Sequence, residues 1–130
     1  FAENSLREIY LPWDGFNDLW NTDPGVYLWS ISSAKDLATK TALEHYHSIR
    51  FARPSYRSFH SRNAMQIFGF DMDLPSNLVI CWTPGGNELG GTATAIRIAL
   101  KYNIPVYNLG VSDKKSVLND IKNFLESRKD

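Results

Sequence analysis

Leu78-Val79-Ile80-Cys81-Trp82, then Thr83-Pro84-Gly85-Gly86-Asn87-Glu88-Leu89-Gly90-Gly91, then Thr92-Ala93-Thr94-Ala95-Ile96-Arg97, is the stretch whose reading decides the fold. Its first five residues form an unbroken apolar run, which predicts a strand covered on both faces. From Thr92 to Tyr102 the pattern is helical, with Ala95, Ile96, Ala99 and Leu100 as the inward stripe. Two glycine pairs lie between strand and helix. Asn103 stops the helix, and Ile104 to Leu109 reads as the next strand, with Pro105 at its beginning, where a missing N–H costs little. Ser112 is expected to cap a last helix to about Ser127, with Val117, Ile121, Phe124 and Leu125 facing inward. Strand, glycine loop, helix, strand, helix is the β-α-β unit of an α/β fold with a doubly wound parallel sheet flanked by helices. Such a unit crosses over right-handedly, which places the glycine loop at the carboxyl edge of the sheet, where ligands of these folds bind.

Working outward, Arg7 to Leu11 is apolar-rich and stopped by Pro12, so it reads as a strand. Trp13 to Trp29 is broken by Gly15, Asn17, Asn21, Pro24 and Gly25 and reads mostly as loop. Ser32 or Ser33 caps a helix to about Ser48, with Leu37, Ala38, Thr41, Ala42 and Tyr46 near helical spacing. Pro54-Ser55 opens a second helix, Tyr56 to about Phe68, closed by Gly69. With no repeat, low-complexity tract or linker, residues 1–130 read as one domain. The chain opens Phe1-Ala2-Glu3-Asn4 and runs almost at once into a strand, so an amino-terminal element is expected to be missing.

Fourteen basic and fourteen acidic side chains cancel. That balance disfavours a protein held on nucleic acid by charge alone. The apolar runs are too short to cross a membrane, no signal peptide is recognisable, and a single cysteine, Cys81, fits a reducing compartment. The expected location is the cytoplasm, the host's if the chain is phage-encoded.

A helix start presents unpaired N–H groups and the positive end of its dipole, and glycines let a phosphate approach the backbone. Gly90-Gly91-Thr92 supplies both features plus a hydroxyl, and Gly85-Gly86 supplies the turn. The loop fits neither G-x-G-x-x-G nor the lysine-containing phosphate loop. Read plainly, it is a tight turn requiring positive φ; read functionally, it is a cradle for an anion, and its position favours the cradle.

"TPGG", "GGT" opening a helix and "NIPVYNL", together with "EIYLPWDGFN" and "FHSRNAMQIFGFD" upstream in the same order, resemble a Rossmann-like superfamily. It includes DNA-processing protein A, the Lonely Guy-type phosphoribohydrolases and the molybdenum-cofactor carriers, and the DprA-like phage and bacterial proteins resemble the chain most. The resemblance implies a Rossmann-like nucleotide-binding domain, with Gly85, Gly86, Gly90, Gly91 and Thr92 on phosphate and Arg62 as counter-charge. It also implies an earlier strand and glycine-rich turn ahead of "EIYLPW". Domains of this kind in bacterial defence sense nucleotide signals, which implies a signalling nucleotide as one ligand class. In the phosphoribohydrolases the motif P-G-G-x-G-T-x-x-E ends on a catalytic glutamate, and an arginine of an R-K pair assists. Here Ala95 stands at the glutamate's position and Arg62-Asn63 at that of the pair. A missing carboxylate disfavours N-glycosidic cleavage unless Glu88 or Glu44 replaces it, so no catalytic residue is assigned. A single-stranded-DNA factor is the third reading.

Arg53, Arg57, His60 and Arg62 cluster on the second helix. The plain reading is a solvated basic face; the functional one takes Arg62 and Asn63 to the ligand. His45, His47 and His60 lack metal-ligand spacing, so no metal and no cofactor is expected. Cys81 reads as core, and Ser58 and Ser61 lack a nucleophile elbow. The aromatic loop reads as packing, except Trp13, which follows the strand end and could carry a base, with Asp14 and Asn17 on a ribose hydroxyl. A nucleotide-type small molecule and a second copy of the chain are the expected partners.

Overall fold

The computed structural model describes residues 8–45, 53–87 and 92–128. Its elements, in order, are β1 (Ile9–Leu11), β2 (Val26–Leu28), α1 (Lys35–His45), α2 (Pro54–Phe68), β3 (Val79–Cys81), α3 (Ala93–Lys101), β4 (Val106–Asn108) and α4 (Lys114–Ser127), with single 3-10 turns at Phe16–Asp18, Trp29–Ile31 and Pro84–Gly86. The fold is mixed α/β. Among the described residues the strands form two parallel pairs, β1 with β2 and β3 with β4, rather than one continuous sheet.

The second helix follows its local chemistry closely. Pro54 sits in its first turn, where a fixed φ suits a helix and the absent N–H is not needed. Gly69 ends it at φ 83° and sends its N–H back to the Met65 carbonyl at 2.7 Å. What sequence does not disclose is its depth. His60 to Met65 are all buried, because α2 lies between α1, α3 and β1. The plain reading of a solvated basic face holds for Arg53 and Arg57, which are exposed, and fails for His60 and Arg62, which are buried. The polar groups inside are paired. Ser61 bonds Thr39 at 2.9 Å and His60 Nδ1 bonds Thr94 Oγ1 at 2.7 Å.

The helices meet through small residues, Ala38 and Ala64 beside Ala95 and Ala99, with Met65, Ile67 and Ile98 filling the space between. Val79 and Val106 join this cluster from the strands. On the other face the expectation fails. Ile80 is 51% and Trp82 59% exposed, so β3 is covered on one face only; an apolar run shows that a strand is apolar, not what lies over it. The α3 stripe is also shifted: Ala95, Ile96 and Ala99 are buried, but Ile98 replaces Leu100, which faces outward. Asn103 stops α3 in the left-handed region, at φ 58°. Asp113, not Ser112, caps α4, its carboxylate accepting the Ser116 N–H at 3.1 Å. Along α4 Ile121 is buried while Leu125 is exposed. Val26–Leu28, expected as loop, is a strand because its backbone pairs in register with Ile9–Leu11. The first helix starts at Lys35; its expected end at Ser48 lies outside the described residues.

Ile98 is fully buried at the centre of the cluster. Ile98→Ala is expected to destabilise the fold by about 2–5 kcal/mol, read as a fall in urea midpoint at unchanged slope.

Candidate functional site

A cavity of about 570 Å³ opens between β1 and β3, within the size range of small-ligand sites. Its walls are the two strands, the loop after β1 (Phe16, Asn17 and Leu19), Arg62 and Gln66 of α2, and Thr92 and Ala95 at the start of α3. Asn17 and Asp18 hold left-handed φ values of 52° and 61°, a conformation that Asn and Asp tolerate better than most side chains.

Arg62 is the dominant electrostatic feature. It is only 8% exposed, and among the described residues no carboxylate pairs with it. Burial alone pushes its guanidinium down to about 10, so it remains a cation at neutral pH. Its Nε–H goes to Asn63 Oδ1 at 3.0 Å and an Nη1–H to the Tyr10 carbonyl at 3.3 Å. The guanidinium carbon lies 4.6 Å from the Phe59 ring centre and 5.5 Å from that of Phe16, and these faces replace part of the lost hydration. A guanidinium has five N–H donors, and the described residues accept two of them.

The structure brings together some of the expected residues and separates others. Arg62, Thr92 and Asn17 line the cavity, and Ala95 lines it too. Asn63 stands behind Arg62 and fixes its Nε. Gly90 and Gly91, like Glu88, lie outside the described residues. Gly85 and Gly86 are not among the walls. They make the turn after β3 at φ 65° and 75°, with the Gly86 N–H on the Thr83 carbonyl at 3.0 Å. Trp13 is outside the cavity, half exposed and edge-on to Phe16. Asp14 accepts the Asn21 N–H. The carboxylate among the described walls is Glu8, bonded by the Tyr10 hydroxyl at the end where β1 begins. Glu44 is exposed on α1. No group of three His, Cys, Asp or Glu side chains suited to a metal occurs among the described residues, and no described helix is long and apolar enough to cross a membrane.

Sequence reading missed the post that holds the Thr83-Pro84-Gly85-Gly86 turn. Asn108, at the end of β4, accepts the Thr83 N–H at 3.1 Å and the Gly110 N–H at 2.9 Å through Oδ1, and donates to Thr83 Oγ1. An Asn two residues before a Gly at a strand end was the available signal. His60, behind the site, is kept neutral by burial and by the nearby Arg62, which lower its affinity for a proton. Its folded pKa lies below the unfolded value of about 6.5, so the unfolded chain binds the extra proton first. Stability is therefore expected to fall as pH drops below about 6.5. His60→Gln should flatten that part of a pH–melting curve.

No family model matches the chain, and no curated protein or solved structure matches it either.

Proposed function

We propose that the chain is a Rossmann-like, DprA-like domain that binds a nucleotide or nucleotide-derived ligand, a signalling nucleotide being one such class. The ligand's phosphate sits against Arg62 and Thr92. One observation carries the reading: Arg62 is buried without a carboxylate partner among the described residues and shares a cavity wall with the start of α3. A buried cation is costly unless something anionic completes it, and a helix start is a natural anion neighbour. Ala95 supports holding over cutting, since a methyl group lines the cavity where a cutting relative would present glutamate.

The test is thermal unfolding against AMP, ADP, ATP, cyclic AMP, cyclic GMP and inorganic phosphate. At a hundredfold excess over Kd a ligand adds about 2.7 kcal/mol, a rise of roughly 8 °C for a domain of this size. Gly91→Asp should abolish the rise. A flat response across the whole panel overturns the reading. Release of free base from a nucleoside 5′-monophosphate would instead establish a phosphoribohydrolase, and a salt-sensitive gel shift with single-stranded DNA a DNA-transaction factor.

A further inference from the structure

A second hollow, of about 670 Å³, opens where β1 and β3 begin, again within the size range of small-ligand sites. One of its walls is aromatic. Tyr10 and Tyr27, opposite each other on β1 and β2, line it with ring centres 6.2 Å apart and planes tilted by 35°. Phe70 supports both rings, its centre 6.4 Å from that of Tyr10 and 5.2 Å from that of Tyr27. Beside them stands the carboxylate of Glu8, which accepts the Tyr10 hydroxyl. Burial, and then that carboxylate, hold the Tyr10 phenol well above its usual range, so the hydroxyl stays a donor and keeps Glu8 at the aromatic wall. Another wall is the loop after α2, and it is pinned to the end of that helix. The Leu74 N–H bonds the Phe68 carbonyl at 2.9 Å. Ser76 bonds the Ile67 carbonyl through its N–H at 2.7 Å and the Gln66 carbonyl through its hydroxyl at 3.2 Å. The hollow is therefore preformed.

Its charge is of one sign. Among the described residues Glu8 is the charged side chain in the walls, and no lysine or arginine lines them. The loop from Gly69 to Leu78 carries Asp71 and Asp73 and no basic residue. We propose that this hollow binds an alkylated ammonium ion of the choline type, held by the Glu8 carboxylate and the rings of Tyr10 and Tyr27. The ring quadrupole attracts a cation, and a carboxylate alongside adds to the attraction. A hard metal ion asks for about six or more oxygen ligands, which one carboxylate does not supply, and no group of three candidate metal ligands occurs among the described residues. A primary ammonium carries three N–H donors that each want an acceptor, and an aromatic wall meets few of them. An alkylated ammonium needs only a counter-charge and apolar contact, which Glu8, the two rings and the buried Met65 side chain combine. The main cavity differs in having Arg62 in its wall, so an anion is drawn to that one and a cation to this one. Neither Arg62 nor Thr92 lines the second hollow, and its occupation does not depend on a nucleotide.

The test is calorimetric titration of the full chain with choline, with dimethylbutanol as its uncharged isostere, methylammonium as the primary amine, and sodium chloride at equal ionic strength as the salt control. Choline should bind saturably, where the salt control gives no saturation. The alcohol, which has the same shape and no charge, should bind about tenfold more weakly. Methylammonium should also bind more weakly than choline. Glu8→Gln, at an exposed position, should weaken choline about three- to fivefold, and Tyr27→Leu by a similar factor. If Tyr27→Leu does not fold, Glu8→Gln and the isostere decide. An alcohol that binds as tightly as choline would make the hollow merely apolar and overturn the proposal. So would a response that rises linearly with choline, tighter binding of methylammonium, or a folded Glu8→Gln protein with unchanged affinity.

Discussion

Arg62→Met is expected to abolish the nucleotide-induced rise in melting temperature while leaving the ligand-free protein close to its original stability. The two halves have separate causes. Methionine removes a desolvated cation, which by itself is neutral or favourable. It also removes the hydrogen bonds to Asn63 Oδ1 and to the Tyr10 carbonyl, each worth about 0.5–1.5 kcal/mol net. These terms oppose each other, and the net change should stay within about 1 kcal/mol. Ligand affinity has no such offset. A hydrogen bond to a charged group is worth about 1.5–3 kcal/mol, so affinity should fall roughly 10- to 100-fold. Arg62→Lys keeps the charge but not the fork between Asn63, Tyr10 and an anion, and should lie between. Titration calorimetry beside urea unfolding separates the two effects. An Arg62→Met protein that binds normally, or one that loses several kcal/mol in the absence of ligand, would show that the arginine is structural. The charge should persist at neutral pH and fade as pH rises through about 10, so affinity should decline there on the alkaline side.

The contrast between stability and binding also explains what sequence could show. The β3-to-α4 run was legible because its signals are local: an apolar run, a helical stripe, Asn103 in a left-handed turn and Pro105 just before β4. The limits of α2 were legible for the same reason, through Pro54 and Gly69. Its burial was not. A helix surrounded on several sides normally looks apolar; this one carries Ser61 and Arg62 inside because Thr39 and the Tyr10 carbonyl, both distant in sequence, bond them, and Asn63 because its Oδ1 accepts from the neighbouring Arg62. Likewise, β2 exists through pairing with β1, which three residues after a Pro-Gly turn do not announce. At the site, sequence named Arg62 and Thr92 and did not show how they meet. It also expected Gly85 and Gly86 to make the turn, and they do so at φ 65° and 75°. Glycine in a sequence says only that a side chain is absent; the surroundings say whether φ, space or a ligand required it.

Gly110 shows how sharply those requirements can differ. Its φ is not in the left-handed region, so conformation alone does not call for glycine. A Cβ there would overlap the Thr83 carbonyl oxygen and crowd the Thr83 nitrogen, both backbone atoms in the turn that Asn108 pins to the end of β4. Nothing flexible can give way. Gly110→Ala is therefore expected to destabilise by more than about 3 kcal/mol, the range of overpacked and strained sites. Gly86→Ala should cost less, about 1–3 kcal/mol: its φ of 75° is strained for alanine, but the atom met at 2.7 Å is a terminal methyl of Val111. Gly85→Ala should cost about 1 kcal/mol, since at φ 65° its Cβ meets only the Asn87 side-chain amide at 3.2 Å. Asn108→Ala removes the pin without adding bulk and takes the acceptor from the Thr83 and Gly110 N–H groups, a loss of about 1–3 kcal/mol for each that water does not reach. Urea midpoints for the four variants give the order directly. If Gly85→Ala proved worse than Gly110→Ala, positive φ rather than the contact between the two strand-end loops would be what this glycine-rich turn depends on.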